Sequence, residues 1–463
     1  TPGAGRVASA VLGNGTGAEF WTLDRVAEAL GEVLTAGAPR GARALRAVTT
    51  DTRTIQEGDC FVALRGEKFD AHDFLADAVA KGARALVVED ARRAASLGVP
   101  TFEVSSTLRA LGYLGRFRRR LWGKPVVAIV GSNGKTSTKE LVKAALGSRL
   151  AVHATTGNLN NQVGCPLTLL AIPDDADIAV VEMGTDRPGE IAKLREYGEP
   201  DLAVCTSIGE EHLEWLKDLD GVLREESEIF VGLGVAVTPA AQPEIARAAR
   251  ERGARRVIVA GLDEGDVRAT RWEVSPDGLG MMEVDGVSVR PPLRGAHNLR
   301  NAMLAIAVAR EAGVSVEDAA RGIAAMPQPS MRMAWEQVGR ATVINDAYNA
   351  NPASTRAALE LLAGAGAGRQ RVAVLGTMRE LGAGADAMHE DVARKALESG
   401  IEVVAGVGDA ARALARVGAG DPRIVTAEDP DALWPLLEPR LTPDAIVLLK
   451  ASRGVRGVFM EKP

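Results

Sequence analysis

The fold of this chain is decided by the stretch Pro125-Val126-Val127-Ala128-Ile129-Val130-Gly131-Ser132-Asn133-Gly134-Lys135-Thr136-Ser137. Its first half is apolar and rich in β-branched residues, which is typical of a buried parallel strand. Two glycines then allow the backbone to curl, and residues 136–150 have the periodicity of an amphipathic helix. A strand, a glycine-rich loop and a helix N-terminus in this order form a phosphate cradle, because backbone N–H groups face the anion. The residues predicted to contact a nucleotide here are Gly131, Ser132, Asn133, Gly134, Lys135, Thr136 and Ser137.

The match to the standard P-loop is partial. The standard pattern has a further glycine five residues before the second one, and Ile129 occupies that place here. A Gly-Lys-Thr by itself is often an exposed turn that opens a helix, so the prediction depends on the surrounding strand and helix. Within this cradle, Lys135 is expected to neutralise the terminal phosphates, and the Thr136 hydroxyl is placed to ligate Mg²⁺.

The composition limits the architecture and the class of protein. With 463 residues, 46% of them hydrophobic and 25% charged, the chain is long enough for roughly two to four globular domains. A formal net charge of −6 argues against a nucleic-acid partner, although it is compatible with a local basic pocket for an anionic substrate. Three widely spaced cysteines and no apolar run of membrane-spanning length favour a cytoplasmic protein without a transmembrane segment. We expect a monomer.

The order of the predicted elements indicates three α/β domains. Residues 1–16 are small and lack a signal-peptide pattern, so we expect a flexible lead-in to a small α/β domain over 1–105. Strand candidates that alternate with helical segments predict a doubly wound parallel sheet in a central domain over 106–327. Beyond a Pro-rich segment, the same alternation predicts a Rossmann-like domain over 328–463. The central strand candidates are residues 126–130, 178–182, 202–206 and 256–260.

Each of two further segments is open to two interpretations, a ligand-binding role or an ordinary structural role. Residues 107–122 predict a basic amphipathic helix, whose arginines suggest a membrane or nucleic acid but are better explained as a solvated helix face. Gly406-Val407-Gly408-Asp409-Ala410-Ala411 imitates a dinucleotide fingerprint. A lone match on a late strand is weak, so a tight strand-to-helix turn is the favoured interpretation.

Polar side chains follow two of the central strand candidates. Ligands of doubly wound sheets bind at the carboxyl ends of strands, and Glu182 ends one strand there, where a carboxylate is well placed to hold Mg²⁺. His212 follows another strand. A lone histidine is more often a surface or packing residue, but this location favours a ligand. The metal-binding candidates are therefore Thr136, Glu182 and His212.

Amide side chains form a second group of candidates. Asn158, Asn160 and Asn161 lie in a segment that is either a plain loop or an amide-lined floor that contacts substrate. Asn298 is predicted to be the N-cap of the next helix. Asn301 falls three residues later on nearly the same face, from which it is able to reach a base edge.

The ordered set of motifs resembles the Mur ligases, and within that family the branch that adds D-alanyl-D-alanine. Thr50-Asp51-Thr52-Arg53 resembles the family's uridine-nucleotide domain, although in isolation Asp51 and Arg53 are better explained as a surface pair. Asn345-Asp346-Ala347-Tyr348-Asn349-Ala350-Asn351-Pro352 resembles the hallmark of the D-alanyl-D-alanine-adding branch. Further matches are the P-loop, the 156–166 loop, Glu182-Met183-Gly184, the His212 loop, His297-Asn298-x-x-Asn301, residues 376–382, His389 and residues 449–453.

The resemblance implies an ATP-dependent ligase with three α/β domains that forms an amide through an acyl phosphate. It implies UDP-N-acetylmuramoyl-tripeptide and D-alanyl-D-alanine as substrates, and ATP and Mg²⁺ as cofactors. The catalytic residues that it implies are Lys135, Glu182, His212 and Glu226, with Asn298, Asn301, Arg332 and Asp346 also at the nucleotide. The substrate-side residues that it implies are Thr50, Asp51, Arg53, Asn158, Asn160, Asn161, Tyr348, Asn349, Asn351, Lys450 and Ser452.

One departure from the family pattern concerns Glu226. Many relatives carry a carbamylated lysine in the helix after the His loop, and the matching position here is Glu226 by its spacing from Glu228-Ile229-Phe230. We expect its carboxylate to replace the carbamate in positioning a second Mg²⁺; the alternative is a Glu226 on a solvated face. The competing functions are a folylpolyglutamate synthase-like ligase, a non-ligase P-loop ATPase, and a structural protein in which the polar strand ends are accidental.

Overall fold

The computed structural model describes residues 20–66, 69–327, 333–366 and 368–452. The predicted flexible lead-in, Arg332 and Arg453 lie outside these residues. The chain forms two compact units. The first unit comprises residues 1–128, 150–184 and 190–201, and the second comprises residues 129–149, 185–189 and 202–463.

The first unit contains a parallel sheet with a buried centre. The strand Cys60–Val62 is fully buried, as expected from its apolar sequence. The helix Leu23–Ala29 is capped by Thr22, whose hydroxyl accepts a hydrogen bond from the Arg25 N–H. The strands in spatial order are Val48–Thr49, Cys60–Val62, Ala85–Val88 and Thr101–Glu103. The surrounding helices are Leu23–Ala29, Leu75–Ala80 and the 3₁₀ turns Ala71–Phe74 and Ala91–Ala94, beside the antiparallel pair Trp21–Thr22 and Ala44–Leu45.

The basic helix of the first unit has the predicted bounds, Thr107–Trp122, but not the predicted solvated face. Arg118 is 1% exposed and donates to the Ile172 carbonyl and to Asp174, each at 2.6 Å. Arg116 pairs with Glu199 at 2.9 Å. A solvated face is therefore wrong for Arg118, which is buried and partnered within the unit, whereas the Arg120 side chain is 54% exposed. The unit also contains the parallel strands Val152–Ala154 and Ile178–Glu182 and the helices Gly164–Leu170 and Glu190–Gly198.

The second unit begins within the strand Val126–Val130 and continues into the helix Lys135–Gly147. Parallel strands follow, in spatial order Leu202–Cys205, Val235–Pro239, Arg256–Gly261 and Val267–Arg268. The helices between and after them are Leu213–Leu216, Leu219–Glu226, the 3₁₀ turn Ser227–Phe230, Pro243–Glu251, Ala296–Glu311 and Val316–Ala324. The strands Arg271–Val274, Gly280–Val284 and Val287–Val289 form an antiparallel sheet that the sequence analysis did not predict.

The last part of the second unit is a mostly parallel sheet, called here the C-terminal sheet. Its strands in spatial order are Ala334–Val338, Ala341–Asp346, Ile446–Lys450, Arg371–Leu375, Val403–Val407 and Ile424–Ala427, of which the first pair is antiparallel. Its helices are Pro352–Gly364, Ala385–Glu398, Asp409–Val417 and Pro430–Leu437, with 3₁₀ turns at Gly382–Gly384 and Glu438–Arg440. Apolar clusters cover both faces of the sheet, as a doubly wound sheet requires.

The predicted α/β fold class with parallel sheets is confirmed. The segment Gly406–Ala411 forms the expected tight turn between the strand Val403–Val407 and the helix Asp409–Val417. The cysteines of the chain are buried free thiols. In the part of the chain that the structure describes, no helix has the length and apolarity to cross a bilayer. The domain boundaries at residues 105 and 327 stay predictions.

Candidate active site

The P-loop, residues 131–136 of the second unit, adopts a curl that requires its two glycines. Gly131 and Gly134 have φ values of 115° and 85°, which side chains disfavour. A Cβ on Gly131 would lie 2.5 Å from the Thr206 hydroxyl, and a Cβ on Gly134 would lie 2.9 Å from the Asn301 amide. The Thr206 hydroxyl donates to the Asn133 carbonyl at 2.6 Å. The conformation of the loop therefore depends on contacts with Thr206 and Asn301 as well as on its own glycines.

Lys135 begins the helix that follows the loop, and its ammonium group folds back over the curl. It donates to the carbonyls of Gly131 and, at 3.3 Å, of Ser132. Its Nζ lies 3.9 Å from a carboxylate oxygen of Glu211. A positive charge is thus held against the P-loop backbone; its contact with a phosphate stays a prediction.

Glu226 ends the helix Leu219–Glu226 and lies under the P-loop with 1% of its surface exposed. Its Oε2 accepts a hydrogen bond from the Gly131 N–H at 3.0 Å, whereas Oε1 has no hydrogen-bond partner among the described residues. Burial raises the pKa of Glu226 to about 8; Lys135 opposes this shift and Glu211 adds to it. The alternative of a solvated Glu226 is therefore wrong.

Glu211 is a second buried carboxylate at this loop, and the sequence analysis missed it. It is 6% exposed and lies 3.8 Å from the His212 Nε2 as well as 3.9 Å from the Lys135 Nζ. Its position next to His212, after a central strand, is the sequence feature that would have identified it. Lys135, Glu211, Glu226 and His212 thus come together in the second unit.

His212 follows the strand Leu202–Cys205 in a left-handed conformation, with φ at 50°. Its Nδ1 lies 2.5 Å from Glu380 Oε2, and its Nε2 lies 3.5 Å from Asp186 Oδ1. Both ring nitrogens therefore face carboxylates, and each of these carboxylates comes from another part of the second unit.

Glu182 and the asparagine segment belong to the first unit. Glu182 is 1% exposed at the end of its strand and accepts a hydrogen bond from the Asn160 amide at 2.9 Å. Asn161 accepts from the N–H groups of Val163 and Gly164, so it shapes the turn before the next helix. Asn158 is exposed. Among the described contacts of the three predicted floor residues, that of Asn160 with Glu182 is the one that reaches a candidate metal ligand.

The amides of the helix Ala296–Glu311 do not form its cap. Gly295 precedes the helix without a side-chain cap, and the Asn298 amide donates instead to the Arg294 carbonyl at 2.8 Å. The N-cap prediction for Asn298 is therefore wrong, because Asn298 lies inside the first turn. The Asn301 side-chain amide donates to the Asn298 side-chain oxygen at 3.2 Å and lies against Gly134, which joins both amides to the P-loop.

The hallmark segment at the end of the strand Ala341–Asp346 forms a polar cluster with Lys450. Lys450 is 3% exposed, pairs with Asp346 at 2.6 Å and donates to the Asn349 carbonyl at 2.8 Å. Ser452 donates to the Asn349 side chain at 3.3 Å. Tyr348 is half-buried beside them.

Asn351 ties this segment to the P-loop. Its amide nitrogen donates to the Asn133 side-chain oxygen at 2.9 Å, while its own oxygen caps the helix Pro352–Gly364 through the Ser354 N–H. Asn351 is therefore fixed at both ends.

In the first unit, Asp51 and Arg53 form the surface pair that the sequence favoured. Their closest N–O distance is 2.6 Å, and the Arg53 side chain is 68% exposed. The hydrogen bond from the Arg53 side chain holds the pKa of Asp51 below its usual value. Thr50 is half-buried next to them.

Metal-binding groups are not preassembled in the described ranges, since no group of three or more His, Cys, Asp or Glu side chains there is arranged to hold a metal ion. Mg²⁺ does not require such a cluster, because it keeps several waters and binds through one or two carboxylates and substrate phosphates. The buried Oε1 of Glu226, which lacks a hydrogen-bond partner, is compatible with such a hydrated ion.

Three family models match this sequence. The Mur ligase middle domain matches residues 129–309, and the Mur ligase glutamate ligase domain matches residues 331–453. The model described as Mur ligase family, catalytic domain, matches residues 44–119.

Similar proteins extend these matches over most of the chain. The UDP-N-acetylmuramoyl-tripeptide--D-alanyl-D-alanine ligase of Escherichia coli (strain K12) is 36% identical over 379 residues, which cover 80% of this chain and 83% of the relative. A crystal structure of MurF from Acinetobacter baumannii is 32% identical with a TM-score of 0.84, covering 95% of this chain and 97% of that one. The MurF ligase of Thermotoga maritima in complex with ADP is 27% identical with a TM-score of 0.78, covering 89% and 95%.

Proposed function

The chain belongs to the Mur ligase family, and we propose that it joins D-alanyl-D-alanine to UDP-N-acetylmuramoyl-tripeptide with ATP, giving the pentapeptide precursor of peptidoglycan. The observation that carries this proposal is the Asn351–Asn133 hydrogen bond of 2.9 Å. It connects the segment that resembles the D-alanyl-D-alanine-adding hallmark with the loop that binds nucleotide in P-loop enzymes. We further propose a cytoplasmic monomer.

The reaction that we propose has two steps. A terminal carboxylate oxygen of the tripeptide attacks the γ-phosphorus of ATP, ADP leaves, and an acyl phosphate forms. The free amine of D-alanyl-D-alanine then attacks the acyl carbon, loses a proton, and inorganic phosphate leaves. The main obstacle is electrostatic, because an anionic carboxylate must approach an anionic polyphosphate.

Lys135 addresses this obstacle in our proposal. Its ammonium group lies over the P-loop curl, where it balances charge on the transferred phosphoryl group. The N–H groups of the loop and the N-terminus of the helix Lys135–Gly147 add a fixed positive potential. Because the site is built from backbone and buried side chains, little reorganisation is needed at the moment of transfer.

Mg²⁺ would supply further neutralisation of phosphate charge when bound. We propose Thr136, Glu182 and His212 as its protein ligands, and Glu226 as the carboxylate that stands where many relatives have a carbamylated lysine. Glu226 lies beside Gly131 with one oxygen without a hydrogen-bond partner, which supports this assignment. A Glu226→Gln variant with unchanged activity and unchanged Mg²⁺ dependence would remove this role.

The remaining assignments follow the motifs. We propose that Asn298, Asn301, Arg332 and Asp346 complete the nucleotide site, and that Thr50, Asp51 and Arg53 lie at the uridine nucleotide. The residues proposed for the peptide and dipeptide are Asn158, Asn160, Asn161, Tyr348, Asn349, Asn351, Lys450 and Ser452.

A phosphate-release assay tests the proposed function. Purified protein with ATP and Mg²⁺ is offered UDP-N-acetylmuramoyl-tripeptide together with D-alanyl-D-alanine, glutamate or a diamino acid. We expect phosphate release and a pentapeptide product with D-alanyl-D-alanine alone. Release with glutamate or a diamino acid would indicate another ligase, and release without any acceptor would indicate an ATPase.

A further inference from the structure

Glu380 is a side chain that the proposed reaction does not use, yet it contacts a candidate catalytic residue. It lies after the strand Arg371–Leu375 of the C-terminal sheet, 168 residues from His212, and its Oε2 lies 2.5 Å from the His212 Nδ1. Its backbone is in the left-handed region, with φ at 62°. A non-glycine residue in this conformation is held there by its surroundings.

The contact is fixed by the backbone as well as by the side chain. The Glu214 N–H donates to the Glu380 carbonyl at 3.3 Å, two residues beyond His212. Gly382 lies so close to Glu214 that a Cβ there would approach its backbone to 3.3 Å. These backbone contacts fix the position of the Glu380 segment relative to the His212 loop. As a result, the Glu380 carboxylate contacts the Nδ1 of the imidazole.

The chemistry of this contact selects a tautomer. An ionised carboxylate only accepts hydrogen bonds, so the Nδ1 of His212 must carry the hydrogen. In the neutral ring, Nε2 then keeps its lone pair and is the nitrogen left to act as a ligand. Nε2 faces the side of Asp186 and Glu211, at 3.5 and 3.8 Å.

We propose that Glu380 is a positioning residue, which holds His212 in the Nδ1–H tautomer and presents its Nε2 to the magnesium site. The inference rests on the role proposed for His212 as a metal ligand. Metal-binding histidines generally donate their other N–H to a carboxylate or carbonyl, and loss of that partner typically weakens metal affinity about 10- to 100-fold. Since Glu380 is carried by the C-terminal sheet, the orientation of His212 depends on the docking of that sheet against its loop.

A purely structural role for Glu380 makes a different prediction, and the chain offers a matched control. Arg356 of the helix Pro352–Gly364 pairs with Glu210 at 3.2 Å, two residues before His212. This pair joins the His212 loop to a different segment, the helix Pro352–Gly364, without touching the imidazole. Glu210→Gln therefore weakens the docking but leaves the tautomer of His212 unchanged.

The experiment compares the wild-type protein with Glu380→Ala, Glu380→Gln, Glu210→Gln and His212→Ala. Nitrogen NMR of histidine-labelled protein gives the tautomer of His212, whose signal among the five histidines is identified by its loss in His212→Ala. Calorimetry of ADP binding at increasing Mg²⁺ concentration gives the Mg²⁺ needed for half-maximal binding. Thermal unfolding verifies that each variant is folded.

In Glu380→Ala we expect loss of the pure Nδ1–H signature and a Mg²⁺ requirement raised about 10- to 100-fold. Glu380→Gln keeps an acceptor oxygen, so the tautomer should persist with a smaller shift in Mg²⁺. The proposal is overturned if Glu380→Ala keeps both wild-type properties, or if Glu210→Gln changes both as much. If His212→Ala leaves the Mg²⁺ requirement unchanged, the metal-ligand role of His212 fails, whereas the tautomer still reports on Glu380.

Discussion

The P-loop and the Thr50–Arg53 segment were both predicted to contact a nucleotide, but they hold their polar groups in opposite ways. At the P-loop, Glu226 is 1% exposed and the backbone of Gly131 is hydrogen-bonded to it. In the 50–53 segment, the Arg53 side chain is 68% exposed and bonded to its neighbour Asp51. A buried polar group is costly to disturb, whereas an exposed pair is solvated with or without its partner. Changes at the P-loop should thus affect stability and activity together, and changes in the exposed segment should affect substrate binding alone.

The largest effect is expected from Lys135→Met. Loss of the ammonium group removes charge stabilisation from the transferred phosphoryl group, so kcat should fall about 10²- to 10³-fold. The measurement is phosphate release with saturating substrates. Lys143→Met, on the exposed side of the same helix, is the control and should retain wild-type kcat. Equal activity of the two variants would show that the ammonium group of Lys135 is not used.

The next effect concerns Glu226 and the pH dependence of stability. Burial raises the pKa of Glu226 to about 8 in the folded protein, from the 4.5 of an ordinary exposed glutamate. Between these two values the unfolded chain releases a proton that the folded protein keeps, so this group's contribution to stability falls as pH rises. Glu226→Gln removes this pH dependence. As pH rises, its free energy of unfolding should therefore increase relative to that of the wild type by up to about 1.4 kcal/mol per pH unit.

Urea unfolding at several pH values between about 5 and 8 measures this difference. Glu398→Gln, an exposed glutamate at the end of the helix Ala385–Glu398, controls for the removal of a charge. Stability curves for Glu226→Gln and wild type that run parallel over this range would contradict the buried, protonated carboxylate.

A smaller effect is expected from Gly134→Ala. A side chain at φ 85° is strained, and the added Cβ would lie 2.9 Å from Asn301, so the free energy of unfolding should fall by about 1–3 kcal/mol. The control is Gly147→Ala at the end of the helix that follows Gly134, where the added Cβ meets no atom within 4 Å and no strain arises. There a gain of about 0.5–1 kcal/mol is expected. Denaturant unfolding of both variants compares them directly.

The smallest effect on stability is expected from Arg53→Gln, because the guanidinium is exposed. The free energy of unfolding should stay within experimental error of wild type. If the segment lies at the uridine nucleotide, the KM for UDP-N-acetylmuramoyl-tripeptide should rise while kcat and the KM for ATP stay unchanged. An unchanged KM for the tripeptide substrate would remove Arg53 from the binding site.

The accuracy of the sequence predictions follows the same contrast. The strand Val126–Val130 and the helix Thr107–Trp122 were predicted with their observed bounds, since periodicity and glycines encode such elements locally. The exposed pair of Asp51 and Arg53 was likewise visible from two neighbouring residues. What sequence reasoning missed depends on contacts between distant segments: the partners of Arg118, the burial of Glu211 and the contact of Glu380 with His212.

Isotope transfer tests the central claim of a phosphoryl transfer to the tripeptide carboxylate. UDP-N-acetylmuramoyl-tripeptide labelled with ¹⁸O in its terminal carboxylate is converted with ATP and D-alanyl-D-alanine, and the released phosphate is analysed by mass spectrometry. An acyl phosphate requires one labelled oxygen to leave with each phosphate, and this is the predicted result. Amide formation with unlabelled phosphate would contradict the account.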